Sequence, residues 1–146
     1  MRPATRVVPK ALLPIIDRPA IQYAVEESVR AGAREVILVV DPGVGALTER
    51  HFWEEGPLPG LEDVRITPVV QEVPQGLGDA VLTAREAVGD RTFFCALVDN
   101  IPRPGGDVLP GMAEAFDGNA VVCLRRLSVE FLERYGVIVP GEWRSK

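Results

Sequence analysis

Three short stretches of this 146-residue chain carry side chains able to handle a phosphate, a flat ring or a metal ion. The first is PATRVVPKALLPIIDRPAIQY, residues 3–23, where Lys10 sits between Pro9 and an apolar run. Three prolines between positions 3 and 14 exclude a helix and leave an ordered loop. A lysine pinned in such a loop can set one point charge on a phosphate; the alternative is a solvated surface lysine. The second stretch is VVQEVPQGLGDAV, residues 69–81, which reads as a strand end, a turn and a Gly-rich helix start. Gly76 and Gly78 let a ring or a phosphate approach the backbone. Gln71 offers a donor and an acceptor, which suit the imide edge of a uracil. Turn glycines in a plain strand–turn–helix are the alternative, and GLG is not the dinucleotide fingerprint. The third stretch is ALVDN, residues 96–100, in which Asp99 ends an apolar run. A carboxylate there can hold Mg²⁺ against nucleotide phosphates, or it can simply open a turn. The remaining polar and aromatic residues have plainer readings. His51, the only histidine, reads as a partly exposed packing residue. Trp53 and Trp143 read as packing or edge residues, Glu54 and Glu55 as a solvated face, and Asp107 as a helix cap.

These residues need a scaffold, and the periodicities supply one. Asp17 and Pro19 read as the N-cap and first position of a helix on which Ile21, Val25 and Val29 recur, with Ala24 and Ser28 beside them. Gly32 stops it. Residues 34–40 (REVILVV) form a strand ended by Asp41-Pro42-Gly43, residues 47–53 a short helix, and residues 56–60 a loop. Residues 64–72 are a second strand, with Pro68 marking an edge or a bulge. A helix over 78–88 follows, then a buried strand over 92–98 (TFFCALV) and a loop over 102–106. After them come a short helix over 109–116, a fourth strand over 120–124, a helix capped by Ser128 running to Tyr135, and a strand over 137–139. Alternating strands and helices predict an α/β fold with a doubly wound, largely parallel sheet. Ligands in such sheets sit at the carboxyl ends of strands, where Asp99 and Gln71 fall.

Composition narrows the classes. Hydrophobic residues are 47% and charged residues 25%, ordinary globular usage, and the length suits one domain. A net charge of −5 disfavours a nucleic-acid footprint, while a few amides and one lysine can still bind a small anion. Cys95 and Cys123 lie in apolar runs and read as two buried thiols. No apolar run approaches the roughly 18 residues of a membrane span, and no signal peptide is read. A reducing, cytoplasmic setting is expected.

The first stretch resembles the signature of bacterial UTP–glucose-1-phosphate uridylyltransferases. The matching parts are Pro3-Ala4-Thr5-Arg6, Pro9-Lys10, Leu13-Pro14, Asp17, Pro19 and Ile21-Gln22-Tyr23. Gln71, a four-residue gap and GLGDAV are similar to that family's uracil-contacting segment, with Asp79 where a histidine is usual. Ala11 stands where the family has glutamate, and Val98 where it has glycine or proline. The resemblance implies a Rossmann-like nucleotidyltransferase fold and a reaction of UTP with glucose-1-phosphate to give UDP-glucose and pyrophosphate. It makes Lys10 the phosphate-contacting lysine, Asp99 the Mg²⁺ ligand, and Gln71 with Gly76 and Gly78 the uracil-binding group. Family members place a strand and a Gly-rich loop before the PAT stretch and sugar-phosphate elements further on. Residues 1–146 are therefore expected to be a single partial domain, the nucleotide-binding half, lacking the first strand and Gly-rich loop and leaving open strand edges. UTP and glucose-1-phosphate are the partners implied, with no nucleic acid and no membrane; a homo-oligomer is left open. Two other readings remain. One is a non-catalytic nucleotide-binding or regulatory module; the other is a thymidylyl- or guanylyltransferase of the same fold.

Overall fold

The computed structural model describes residues 8–54, 56–101, 108–139 and 141. The Pro3–Arg6 match, Glu55, Asp107, Trp143 and the whole expected 102–106 loop lie outside them. A single 3-10 turn over Lys10–Leu12 leads into a small antiparallel hairpin, β1 (Pro14–Ile15) and β2 (Arg18–Pro19). Ile16, at the hairpin tip, has φ +64° and is 95% exposed. A β-branched residue is strained in that region, by about 1–2 kcal/mol.

Helix α1 (Ala20–Arg30) starts at Pro19, with no side-chain cap. Asp17 is therefore not its N-cap: it lies in the hairpin turn and spends its carboxylate on Arg18. The expected stripe is present, with Ile21 and Val25 buried. Gly32, at φ +100°, ends the helix in a backbone conformation that suits glycine. Two buried polar residues share the stripe. Ser28 donates to the Ala24 carbonyl at 2.8 Å, and Glu27 reaches out of the helix altogether. One Glu27 carboxylate oxygen accepts from the backbone N–H groups of Val108 (3.0 Å) and Leu109 (3.1 Å), the free donors that open helix α5 (Val108–Ala115). The cap of α5 thus comes from another helix.

Strand β3 (Glu35–Val40), helix α2 (Pro42–Trp53) and strand β4 (Arg65–Val70) make a parallel βαβ unit, in register from Glu35↔Arg65 to Val40↔Val70. Helix α2 begins five residues before the expected 47–53. Pro42, with its φ already set for a helix, occupies the first turn after Asp41. Gly45 is buried on it, and a Cβ there would meet the side chains of Val40 at 3.7 Å and Val70 at 4.0 Å, so the helix lies close on the sheet. Pro68 pairs with Leu38 on a strand with no second partner among the described residues, the edge position a proline tolerates. The core consists of Ile21, Val25, Leu38, Val40, Phe52 and Leu61, between α1, α2 and the sheet.

The helix expected over 78–88 is two pieces, α3 (Leu77–Thr83) and α4 (Arg85–Val88). The Thr83 hydroxyl bonds back to the Asp79 carbonyl at 2.9 Å, and the Ala84 amide takes the Val81 carbonyl three residues back, so the spiral tightens and breaks there.

The remaining strands did not form as expected. Residues 92–98, 120–124 and 137–139 carry no strand ladder, and Ser128 precedes a 3-10 stretch, Val129–Arg134, rather than an α-helix. Cys95 and Cys123 are exposed free thiols, not buried ones. The reason is visible at 92–98. Arg91 pairs with Glu35 at the start of β3, and Val98 packs against the core that holds the end of β3, so the segment runs alongside that strand. Between them lies a cleft of about 750 Å³, lined by Val36 to Val39, Phe94 to Val98 and the apolar faces of α1 and α3. Among the described residues β3 is hydrogen-bonded only to β4.

Candidate functional site

Lys10 is placed by the 3-10 turn that Pro9 initiates. The Leu12 amide bonds the Pro9 carbonyl at 2.9 Å, and Ala11 and Leu12 pack against the core. The lysine side chain stays in solvent and meets Asp99, 89 residues further on, in a direct ion pair. Asp99 sits in the turn after Val98, where the Asn100 amide closes on the Leu97 carbonyl at 3.0 Å. The Lys10 hydrogen bond is the main cause holding the Asp99 carboxyl below its usual range, against a smaller opposing effect of burial. Each side chain is 43% exposed, so solvent screens the pair and leaves it able to exchange partners.

Residues of the Asp17 to Tyr23 string do not face this pair. They hold the lysine loop. The Tyr23 hydroxyl donates to the Ile15 carbonyl at 2.7 Å and to Asp17 at 3.3 Å. Arg18 grips Asp17 and, with one nitrogen, both oxygens of Glu26 (3.0 and 3.1 Å). Gln22 donates to Glu26 at 2.8 Å, and its carbonyl lies 3.0 Å from His51 Nε2 on α2. His51 is half-buried, as expected of a packing residue, and burial lowers its pKa. The Asp17 carboxyl is lowered chiefly by its bond from Arg18. Charged and amide side chains thus clamp the hairpin onto α1 and α2.

Gln71 follows β4 directly, and its amide bonds the carbonyl of Val40 at the carboxyl end of β3 at 2.9 Å. Its side chain is largely buried, with the residue 8% exposed, and donates through Nε2 to a carboxylate oxygen of Asp79 on the first turn of α3. Gly76 caps that helix at φ +106°, a conformation open to glycine and to few other residues. Gly78 is an ordinary helical residue with open space where a Cβ would stand, so the fold alone does not require glycine there.

The structure therefore joins Lys10 to Asp99 in one contact. Gln71 makes its own contacts instead, its backbone tied to Val40 and its side chain to Asp79. Glu27 and the Arg18–Glu26 pair were not singled out from sequence, and Asp79 stood out only as a departure from the resembled pattern, not as the partner of Gln71. Among the described residues no three His, Cys, Asp or Glu side chains cluster as a metal cage. Asp99 alone suits a Mg²⁺ ion whose other ligands are phosphate oxygens and water. No described helix is long and apolar enough to cross a membrane.

The described residues hold a parallel βαβ unit beside a lysine–aspartate pair, the pair joining a 3-10 turn to the turn after residues 92–98. The chain belongs to the nucleotidyl transferase family, whose profile matches residues 1–145. It is similar to UTP–glucose-1-phosphate uridylyltransferase 2 of Staphylococcus saprophyticus, 34% identical over 94% of this chain and 54% of the relative. It is also similar to UTP–glucose-1-phosphate uridylyltransferase of Bacillus subtilis, 33% identical over 94% of this chain and 53% of the relative. Among solved structures it resembles a UDP-glucose pyrophosphorylase complexed with UDP-glucose, at TM-score 0.64 and 28% identity, over 79% of this chain and 47% of that one. The sequence resemblance is thus borne out, and the chain spans about half the length of the curated relatives it matches.

Proposed function

We propose that residues 1–146 form the nucleotide-binding part of a sugar-phosphate nucleotidyltransferase that joins UTP and glucose-1-phosphate into UDP-glucose and pyrophosphate. The observation that carries this reading is the contact between Lys10 and Asp99, a cation and a carboxylate brought together from positions 89 residues apart, the carboxylate at the end of an apolar segment. Transfer of a uridylyl group needs positioning and charge neutralisation more than a protein nucleophile. In this reading Lys10 turns from Asp99 to a phosphate oxygen of UTP. Asp99, so released, holds Mg²⁺, which when bound neutralises charge on the phosphates. Gln71 reads the imide edge of uracil, and Gly76 leaves room for the ring beside the backbone. The setting is cytoplasmic, and self-association is open.

Calorimetry with UTP, CTP and ATP in Mg²⁺ tests this. UTP is expected to bind most tightly, and equal affinities would remove uracil recognition from the account. Asp99→Ala should abolish the dependence of UTP binding on Mg²⁺; unchanged dependence would take Asp99 out of the metal site.

A further inference from the structure

Gln71 has one property that its proposed task makes a difficulty. A glutamine amide presents a donor on one side and an acceptor on the other, and a half-turn about its last torsion exchanges them. Uracil offers an acceptor at O4 and a donor at N3, whereas cytosine offers a donor at N4 and an acceptor at N3. An amide free to turn therefore reads both pyrimidines equally well. In this chain it is not free, because its Nε2 faces a carboxylate oxygen of Asp79. An ionised carboxylate only accepts, so turning the amide would set its carbonyl against Asp79 and break the one hydrogen bond in a place 8% exposed to water.

We propose that Asp79 is a positioning residue that locks the rotation of the Gln71 amide and thereby makes the site select uracil over cytosine. The inference rests on the reading of Gln71 as the base-contacting residue. One N–H of Nε2 goes to Asp79, and the other N–H and Oε1 remain for the base, the donor–acceptor pair complementary to O4 and N3–H of uracil. Local architecture supports the lock. Gly76, in its left-handed conformation, turns the chain so that the first turn of α3 returns Asp79 to the end of β4, eight residues from Gln71. The Gln71 backbone is itself tied to Val40, so both partners are anchored on regular structure.

The test compares Kd for UTP and CTP by calorimetry in wild type, Asp79→Asn and Gln71→Ala. Asparagine matches aspartate in shape but both donates and accepts, so it tolerates either amide orientation. The wild type is expected to prefer UTP by about tenfold or more, the scale of one mismatched hydrogen bond in a buried place. Asp79→Asn should bring the two affinities within about twofold of each other mainly by tightening CTP. An Asp79→Asn protein that keeps the wild-type ratio overturns the proposal, while loss of the ratio in Gln71→Ala shows that the base reading itself still stands. A wild type without preference overturns both. Should Asp79→Asn fail to fold, the wild type alone decides by NMR. The two Gln71 side-chain amide protons should be well separated in shift and show a contact to the Asp79 β protons; a pair resembling free glutamine would refute the lock.

Discussion

Residues 35–40 (EVILVV) and 92–98 (TFFCALV) are apolar runs of nearly the same length and β propensity, yet they fare differently. The first is β3, hydrogen-bonded along its whole length to β4, with Leu38 and Val40 in the core. The second runs beside β3 without a ladder, with Phe93 54% exposed and Cys95 in solvent. It is tied to the rest by Arg91–Glu35 at one end and by Val98 and Lys10–Asp99 at the other. Strand propensity describes a side chain's fit to a half-buried pleated surface, and that surface must be supplied by a neighbour. Where β4 supplies it a strand forms; across the cleft it does not. Asp99 thus hangs from the less supported of the two segments.

The sharpest way to break this contrast is a matched pair of truncations. Leu38→Ala should cost about 2–5 kcal/mol in denaturant unfolding, because it opens a cavity in a packed core. Phe93→Ala should stay within about 0.5 kcal/mol, as surface changes do. Equal losses would mean that 92–98 is packed as well as β3. Next in size, Glu27→Ala should cost about 1–3 kcal/mol, since two amides at the start of α5 lose their acceptor. Hydrogen exchange sharpens the contrast without a mutation: amides of 35–40 should be protected close to the global limit, and those of 92–98 should exchange through local opening.

The smallest effects are those of pH. Arg91 is the main cause holding the Glu35 carboxyl below its ordinary value, and Lys10 does the same for Asp99. Folded values below the unfolded ones mean that both ties contribute above the ordinary carboxylate range and are lost as pH falls through the folded values. Acid below the ordinary carboxylate range should therefore lower the exchange protection factors of 92–98 before those of β3. His51, lowered by burial from its ordinary 6.5, acts in the same sense at higher pH. The unfolded chain takes up that proton more readily, so stability should decline as pH drops below about 6.5. A His51→Gln protein should lack that decline.

Local patterns carried most of what could be read beforehand. The stripe of Ile21 and Val25, the run over 35–40 and the helical spacing after Gly76 each lie within one element, and the structure has them within a few residues. The strands expected at 92–98, 120–124 and 137–139 depend on partners distant in sequence, and an apolar run says nothing of whether the partner is there. The burial of the two cysteines failed with those strands. Lys10 and Asp99 could be paired only through a known motif, since no spacing rule links residues 89 apart. Gln71 with Asp79 stayed hidden for a different reason: the pair exists because Gly76 turns the chain back, and a turn's direction is not written in hydropathy. Glu27 was hidden because a carboxylate on a buried stripe reads as an error in the pattern until its acceptors' partners on α5 are seen.

The account depends on Lys10, Asp99 and Gln71 serving one nucleotide. Thermal unfolding with Mg²⁺ and UTP, on wild type beside Lys10→Ala and Gln71→Ala, tests this most directly. At UTP near one hundred times Kd the wild-type midpoint should rise by about 5–10 °C, and each variant should lose most of that rise. A wild type that UTP does not stabilise, or a rise that survives either substitution in full, would contradict a shared site.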